Sequence, residues 1–281
     1  MTAVDLHVHS TASDGEASPA EVVRRAEAIG LTAIALTDHD TLAGAAQLDR
    51  EDHVVRMIPG CEFSVEAPWG EMHLLGYFLP VDDPDLSVFL SRQRERRDAR
   101  GNEIVEQLKR LGLAISYEDV QAVSQGAALG RPHVARALVA RRQVVDVNMA
   151  FERYLRDGRP AFVPKVLSPV AEVIALVRQV GGVTAAAHLK ERATADTLRS
   201  LAEQGMDAVE VIHPSHDART QRRITGAATA AGLLPTGGSD WHGDRQSQGD
   251  RGALGSMAVP AAWLSALEDL HTRRARSRAA A

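Results

Sequence analysis

The chain has 281 residues, of which 44% are apolar, enough to bury the core of one large domain or two modest ones. Its formal net charge of -5 excludes a global basic field that would attract long nucleic acid. Cys61 is the only cysteine, which excludes an internal disulfide framework and fits a reducing cytoplasm. The first residues lack the basic and apolar regions of a signal peptide, and no apolar run is long enough for a membrane helix. We therefore expect a cytoplasmic protein.

Short apolar segments alternate with amphipathic helices along most of the chain. The predicted strands span residues 4–9, 32–39, 55–65, 71–79, 182–188, 207–213 and 234–242. The predicted helices span residues 18–31, 168–181, 194–205 and 217–232. Ser18 and Pro19 are typical of an N-cap and a first helical position. The alternation predicts an α/β fold whose parallel strands close into a barrel.

One segment interrupts this alternation. Residues from about 84 to 160 show only helical periodicity, and the next strand pattern is GRPAFVP at 158–164. We predict that residues 85–157 form a helical insertion that caps the barrel and binds substrate. Residues 1–84 and 158–281 would then form the barrel with its metal centre, and the basic tail, 273–281, would be a frayed end.

Possible metal ligands lie at or near the end of each predicted strand. His7 and His9 are two residues apart on a strand, so their side chains point to the same face. The others are Asp14, His39, Glu62, His73, His188, Glu210, His213, Asp240 and His242. In a parallel barrel the carboxyl ends of the strands meet on one face, where barrel enzymes keep their chemistry.

The occurrence of these residues at the ends of successive strands favours a metal site over a set of unrelated core residues. A lone strand histidine is usually a hydrogen-bonded core residue, and His53 and His271 fit that simpler interpretation. Burying so many ionisable groups together without a cation would cost several kcal/mol for each unpaired charge. Imidazole and carboxylate ligands without thiolates suit manganese, zinc or iron, and a bridging carboxylate such as Glu62 would let the set hold three ions.

Five separated motifs resemble the PHP (polymerase and histidinol phosphatase) family. They are Asp5-Leu6-His7-Val8-His9, Ser13-Asp14-Gly15, Leu36-Thr37-Asp38-His39-Asp40, Gly60-Cys61-Glu62 and Gly238-Ser239-Asp240-Trp241-His242. The resemblance implies a distorted (β/α)7 barrel with a trinuclear metal centre. The subgroup that shares the helical insertion includes phosphatases of 3′,5′-nucleoside bisphosphates and 5′→3′ exoribonucleases of short RNA.

The resemblance also implies a set of ligands for each ion. The first ion would be held by His7, His9, Glu62 and Asp240, the second by Glu62, His73 and His188, and the third by Asp14, His39 and His242. Asp5 and Asp38 would orient imidazoles from behind. The chain departs from the family at Leu189, where proline usually follows the histidine after the fifth strand, and this leaves the path of residues 189–195 open.

Basic side chains near the predicted site indicate a substrate that carries phosphate. Arg131, between Gly130 and Pro132, can bind phosphate through two parallel hydrogen bonds. The other candidates for phosphate binding are Arg97, Arg100, His133, Lys165, His213, Ser215 and His216. Each could equally be a solvated or structural residue. The predicted catalytic residues are Asp240, His216 and Arg131, with a metal-bound water as the alternative to His216 for the general acid.

Together these features predict a hydrolase that removes phosphate from a small nucleotide, such as a 3′,5′-nucleoside bisphosphate, or acts at 5′ nucleotide ends. Three divalent ions, with Mn²⁺ favoured over Zn²⁺ and Fe²⁺, would supply a hydroxide that attacks phosphorus. The alternative is a 5′→3′ exoribonuclease of short RNA; histidinol-phosphate phosphatase and a non-catalytic accessory domain are weaker alternatives. The aromatic content of 4% offers few stacking surfaces and favours a small nucleotide or short oligonucleotide over long nucleic acid. The sequence indicates no membrane partner and specifies no oligomeric state.

Overall fold

A curved sheet forms the centre of the protein. In the computed structural model, which describes residues 3–48, 53–244 and 251–279, its strands are β1 (Ala3–Val8), β2 (Leu31–Leu36), β3 (Arg56–Ala67), β4 (Gly70–Tyr77), β5 (Ser168–Pro169), β6 (Val183–Ala186), β7 (Ala208–Ile212), β8 (Leu234–Gly237) and β9 (Val259–Pro260). The strand order is β8-β7-β6-β4-β3-β2-β1-β9, and β5 pairs with β3. A bridge between Val8 and Trp241 joins β1 to the segment after β8, so the sheet is a nearly closed barrel.

Helices cover the sheet and fill the long segment between β4 and β5. They are α1 (Pro19–Ala28), α2 (Ala43–Leu48), α3 (Pro84–Arg110), α4 (Tyr117–Ser124), α5 (Arg131–Ala140), α6 (Val147–Ala150), α7 (Val170–Gln179), α8 (Ala195–Glu203), α9 (Ala218–Ala231) and α10 (Ala261–Ala279). The N-cap prediction for α1 is confirmed, because the Ser18 side chain accepts a hydrogen bond from the Glu21 amide. No helix in these described ranges is long and apolar enough to cross a membrane.

One strand of the barrel runs against the predicted parallel direction. β4 is antiparallel to both β3 and β6, because Pro68 and Trp69 alone connect it to β3, too few residues for a helical crossover. The reversal brings the first half of β4 to the carboxyl end of its parallel neighbours. His73 therefore pairs with Ser64 near the end of β3 and reaches the same edge of the barrel as the other predicted ligands.

The predicted strand at 158–164 is wrong. These residues form turns and an irregular segment, in which the Ala161 amide bonds to the Tyr154 carbonyl and the Val163 carbonyl accepts from Arg100 Nε at 2.8 Å. Ala161 and Val163 are buried in an apolar cluster with residues of α3, α4 and α5 rather than in the barrel. The alternation of apolar residues in GRPAFVP therefore arises from packing against the helical segment. The boundary between the helical insertion and the barrel at residue 157 stays a prediction.

A largely buried ion pair attaches α10 to the barrel. Residues 273–279 continue α10, whereas the sequence predicted a frayed end; Ala280 and Ala281 lie outside the described residues. Arg274 Nη1 donates to Asp207 Oδ2 at 2.7 Å and to the Gly182 carbonyl at 2.8 Å. Asp207 also accepts from the Thr184 amide at 2.9 Å, so this pair joins α10 to β6 and β7.

We expect Arg274→Met to lower the free energy of unfolding by about 2 kcal/mol, because it leaves the largely buried Asp207 carboxylate without its guanidinium partner. Urea denaturation followed by circular dichroism measures the change. Arg276→Met, at an exposed position of the same helix, is the matched control. Equal effects of the two substitutions would show that the pair does not hold α10 on the barrel.

Candidate metal centre

Glu62 lies at the centre of a cluster of histidines. Its Oε2 atom is 3.1 Å from Nε2 of both His7 and His9. Its Oε1 atom is 2.6 Å from His73 Nδ1 and 3.0 Å from His188 Nε2. The Glu62 side chain is only 1% exposed, so its charge faces imidazoles rather than water. A single carboxylate thus connects ligands from β1, β4 and the segment after β6.

Two aspartates complete the cluster, one on each side. Asp240 Oδ1 lies 3.2 Å from His9 Nε2, close to the position of Glu62 Oε2. On the other side, Asp14 Oδ1 lies 3.2 Å from His242 Nε2 and 3.9 Å from His39 Nε2. The structure brings together all nine residues that were predicted as ligands.

Most of the ligands lie just beyond the ends of the strands. Two of them have a left-handed backbone conformation, which residues other than glycine rarely adopt. The predicted strands extended to His39, His188, His213 and His242, whereas the observed strands end two to five residues earlier or directly before them. His188 and Asp240 have φ values of 30° and 51°, in the left-handed region. Strain of this kind persists where the surrounding structure fixes it, and it is common at functional sites.

Close backbone packing holds the Asp240 segment beside β1. A Cβ atom on Gly238 would lie 2.4 Å from the His7 amide nitrogen, so only glycine fits there. Asp5 Oδ1 accepts a hydrogen bond from the Ser239 amide at 2.8 Å. The Gly-Ser-Asp motif therefore serves to bring Asp240 against the histidines of β1.

The donor atoms of the cluster fit divalent metal ions. Nε2 of His9, Nδ1 of His39 and Nδ1 of His73 lie close to carboxylate oxygens but form no hydrogen bond of acceptable geometry to any described residue. Among the described residues, four sets of possible ligand atoms lie within 4.8 Å of one another: His7, His9, Glu62 and Asp240; His9, Asp14, His39 and His242; His39, Glu62 and His73; and His7, Glu210 and His213. Imidazole nitrogens and carboxylate oxygens that converge in this way are the ligands that Mn²⁺, Zn²⁺ and Fe²⁺ take.

The carboxylates of the cluster are held in their ionised form. Burial alone would raise the pKa of Glu62, but His39, His73 and His7 hold it well below its usual range. Burial would also raise the pKa of Asp240, and His7 and other histidines likewise hold it well below its usual range. Both side chains are therefore negatively charged at neutral pH, as metal ligands must be.

Glu210, a possible ligand at the end of its strand that was placed in none of the three ligand sets, is also a member of the site. Its Oε1 atom lies 3.0 Å from His7 Nδ1, and its Oε2 atom accepts a hydrogen bond from the His188 amide at 2.7 Å. It is fully buried on β7 between apolar neighbours. A carboxylate within the apolar strand AVEVI was the available signal, since a buried carboxylate needs a partner. Glu210 fixes the His7 ring and the strained His188 backbone together.

Asp5 and Asp38 differ from their predicted role, because the contacts that the structure gives them are to backbone amides and hydroxyls rather than to imidazole rings. Asp5 binds the Ser239 amide and, through Oδ2, the Gly255 amide at 2.9 Å. Asp38 accepts from the Ser10 amide at 2.8 Å and from the Ser13 hydroxyl at 2.6 Å. Both shape the loops that carry ligands, which the sequence motif alone did not reveal.

Arg97 is engaged in a buried ion pair rather than free for phosphate. Its Nε and Nη2 atoms donate to Asp40 Oδ2 at 2.8 and 2.5 Å, and Nη1 donates to the Leu129 carbonyl at 3.2 Å. Asp40 has a φ of 48° and accepts the Ser64 amide at 3.0 Å, so the pair joins α3 to β3 beside the ligand loop. Because Asp40 already neutralises its charge, Arg97 has a structural role in this ion pair, and its contact with phosphate stays a prediction.

Lys165 reaches the ligand cluster indirectly. Its Nζ atom donates to Ser64 Oγ at 2.8 Å and to Glu71 Oε1 at 2.5 Å. The same Glu71 oxygen lies 3.1 Å from His73 Nε2. The contacts indicate that Lys165 holds Glu71, which in turn orients the ring of His73, rather than a direct contact with phosphate.

Arg131 and Arg100 bring positive charge to the edge of the cluster. The Arg131 guanidinium lies 5.9 and 5.5 Å from the rings of Phe151 and Phe162, and Nη1 donates to the Leu155 carbonyl at 3.2 Å. Burial, together with the nearby Arg131, lowers the pKa of Arg100 to about 10. Arg131 lines a cavity together with His73 and His188, so its positive charge faces the space beside these two ligands.

His133 caps a helix instead of facing the cluster. Its Nδ1 atom accepts the Gly130 amide at 3.0 Å at the start of α5, and burial lowers its pKa to about 4. It is therefore neutral at physiological pH and contributes no charge toward phosphate. His133 also lines a cavity beside Ser13, and its contact with phosphate stays a prediction.

The segment after β7 places one histidine beside Asp240 and another away from it. His213 Nε2 lies 3.6 Å from Asp240 Oδ2, and Ser215 Oγ lies 2.8 Å from His213 Nδ1. His216 bonds through Nδ1 to the Val211 carbonyl at 3.0 Å and through Nε2 to the Lys190 amide at 3.2 Å. Both ring nitrogens of His216 are thus bound to backbone groups, and its role as general acid stays a prediction.

The loop at Leu189 has a defined path without the proline that the family usually places there. Leu189 is 4% exposed and packs in the main apolar cluster, and the Lys190 amide is held by His216. Arg223 Nη2 donates to the Lys190 carbonyl at 2.7 Å. Apolar packing and an arginine therefore fix this loop in place of a rigid ring.

Comparisons with known proteins agree with this geometry. The model of the PHP domain matches residues 5–155. The chain is 32% identical over 247 residues to the 5′-3′ exoribonuclease Rnm of Escherichia coli, covering 85% of this chain and 84% of the relative. It is 29% identical over 265 residues to a 3′,5′-nucleoside bisphosphate phosphatase of Chromobacterium violaceum, covering 90% and 91% of the two chains. A solved structure assigned as a metal-dependent phosphoesterase from Bifidobacterium adolescentis aligns over 96% of both chains with a TM-score of 0.87 and 28% identity.

We expect Glu210→Gln to weaken metal binding by about 10- to 100-fold. The glutamine side chain has no negative charge and only one accepting oxygen, so it cannot accept hydrogen bonds from both the His7 ring and the His188 backbone amide as the carboxylate does. Isothermal titration calorimetry of the apoprotein with Mn²⁺ measures the affinity. Glu203→Gln, exposed at the end of the helix before β7, is the control. Unchanged affinity in Glu210→Gln would exclude its role in orienting the ligands.

Proposed function

The chain belongs to the PHP-domain family, and on that premise we propose that this metal-dependent phosphoesterase hydrolyses phosphate esters of nucleotides, with a 3′,5′-nucleoside bisphosphate as the favoured substrate. The observation that carries the proposal is the position of cationic side chains beside the ligand cluster. A cavity of about 240 Å³ is lined by His73 and His188 and also by Arg131 and Arg192. One phosphate can reach the ligands while a second contacts the arginines.

We propose that three divalent ions, with Mn²⁺ favoured over Zn²⁺ and Fe²⁺, are held by the three ligand sets given above for the family. When bound, such ions activate water and neutralise phosphoryl oxygens. Glu62 is suited to a bridging position, since its two oxygens face different histidines. Arg131 would orient the phosphate through its planar donors, and its contacts with Phe151 and Phe162 hold the guanidinium in place.

A second candidate function is 5′→3′ exoribonuclease activity on short RNA, since the Escherichia coli relative is a 5′-3′ exoribonuclease. A larger cavity, about 560 Å³, lies on the Asp14 side and is lined by Ser13, Gly15, Gln125 and Arg136. It offers space for nucleotides beyond the one at the ligand cluster. For either function the partner is a small nucleotide or short oligonucleotide in the cytoplasm.

A length series separates the two candidates. With Mn²⁺-loaded enzyme we expect kcat/KM for adenosine 3′,5′-bisphosphate to exceed that for 5′-phosphorylated oligoribonucleotides by about tenfold or more, because a single nucleotide carries both phosphates into the small cavity. Initial rates on oligomers of two to ten nucleotides, resolved by chromatography, provide the comparison. Turnover that stays constant or rises beyond three nucleotides would instead support the exoribonuclease.

The metal-ligand assignment has its own test. His9→Ala should retain less than about a tenth of both the bound metal and the phosphoesterase rate, because His9 faces both Glu62 and Asp240. Elemental analysis gives the metal content, and circular dichroism checks the fold. His271→Ala removes a histidine from α10 and serves as the control. Full metal content and activity in His9→Ala would remove it from the ligand set.

A further inference from the structure

Trp69 is a large aromatic residue in a turn that does not need it. The segment Ala67-Pro68-Trp69-Gly70 joins β3 to β4, with Ala67 paired to Gly70. Proline at the second position and glycine at the fourth satisfy a tight turn, whereas the third position carries no requirement for a bulky ring. The turn geometry therefore explains Pro68 and Gly70 but does not by itself require an indole at Trp69.

The three tryptophans of the chain have different surroundings. Trp241 is fully buried, and Trp263 packs against two apolar clusters of the barrel. Trp69 packs against one apolar cluster but stays partly exposed, and it lines the cavity that contains His73 and His188. Trp69 therefore presents part of its surface beside two predicted metal ligands.

The walls of this cavity differ in chemistry. Trp69, Met72 and Leu189 supply apolar surface, whereas Arg131 and Arg192 supply positive charge from opposite segments of the chain. Arg192 is exposed, and it lies in the short 3-10 turn Lys190–Arg192 that follows His188. A ligand that matches both kinds of wall combines a flat, weakly polar ring with anionic groups.

From this arrangement we propose that the cavity is a nucleobase subsite, in which the base of a nucleotide stacks on Trp69 while Arg192 contacts its phosphate. The inference rests on the proposed function and names the part of the substrate that Trp69 recognises. A base has a π-face whatever its identity, so stacking on an indole selects nucleotides over sugar phosphates without selecting one base. An indole anchored in an apolar cluster supplies this contact with little loss of side-chain freedom.

Substrates with and without a base test the role of Trp69. In Trp69→Leu we expect KM for adenosine 3′,5′-bisphosphate to rise about tenfold with little change in kcat. The kcat/KM for ribose 5-phosphate should stay within about twofold of the wild-type value, because this ester has no ring to stack. Trp69→Phe keeps an aromatic face and should recover most of the lost affinity. An equal loss on both substrates, or no loss on either, overturns the proposal.

Arg192 provides the matching contrast. Arg192→Ala should raise KM for the bisphosphate and for ribose 5-phosphate alike, since both carry phosphate, whereas Arg199→Ala on the exposed face of α8 should change neither. A base-selective effect of Arg192→Ala would contradict the assignment of its contact to phosphate.

A binding measurement separates the subsite from the proposed function. Should the wild-type protein hydrolyse none of these esters, the proposed function fails, and titration with adenosine 5′-monophosphate still tests the subsite. Saturable quenching of tryptophan fluorescence that disappears in Trp69→Phe supports it. Absence of saturable quenching in the wild-type protein overturns it.

Discussion

The position of Glu62 among five histidines is the constraint on which the rest of the structure depends. A carboxylate buried to this extent in the middle of a sheet would be strongly destabilising without charged partners. The cluster supplies these partners from β1, β4 and the segment after β6, which are far apart in sequence and meet only when the barrel is formed. Formation of the barrel and assembly of the metal centre are therefore one event. This coupling explains why so many polar side chains at this end of the sheet are buried.

The surroundings of the cluster convert this constraint into a fixed geometry. His188 and Asp240 adopt left-handed backbone conformations, and each is held by a carboxylate from a neighbouring strand: Glu210 binds the His188 amide, and Asp5 binds the amide preceding Asp240. The strain is localised at residues that present ligands, where a regular strand would direct the side chain elsewhere. Glu71 contacts the ring of His73 in the same way, and Lys165 in turn donates a hydrogen bond to Glu71. The contacts behind the ligands are thus as specific as those between them.

The sequence predicted the barrel and the convergence of the ligands because both follow from local periodicity. Two histidines two residues apart on β1 must share a face, and strand ends in an α/β barrel must meet at one edge. The antiparallel direction of β4 was also accessible, since the short gap after β3 leaves no room for a crossover. By contrast, the partners of Asp38, Arg97 and His216 lie on other elements, and no spacing rule specifies them. The GRPAFVP segment failed for a related reason, because its apolar residues pack on helices that are close only in the folded chain.

The barrel and the helical segment supply different side chains to the site. All nine predicted ligands belong to the barrel sequence, whereas Arg100 and Arg131 come from α3 and α5. Arg97 of α3 is neutralised by Asp40, which lies directly after His39, so the ion pair fixes the helical segment against a ligand loop. Arg131 lines the cavity that contains His73 and His188, whereas Arg100 lies with Arg97 and Lys165. The helical segment thus contacts the ligand loop through a salt bridge, whereas the donor atoms of the cluster all come from residues outside that segment.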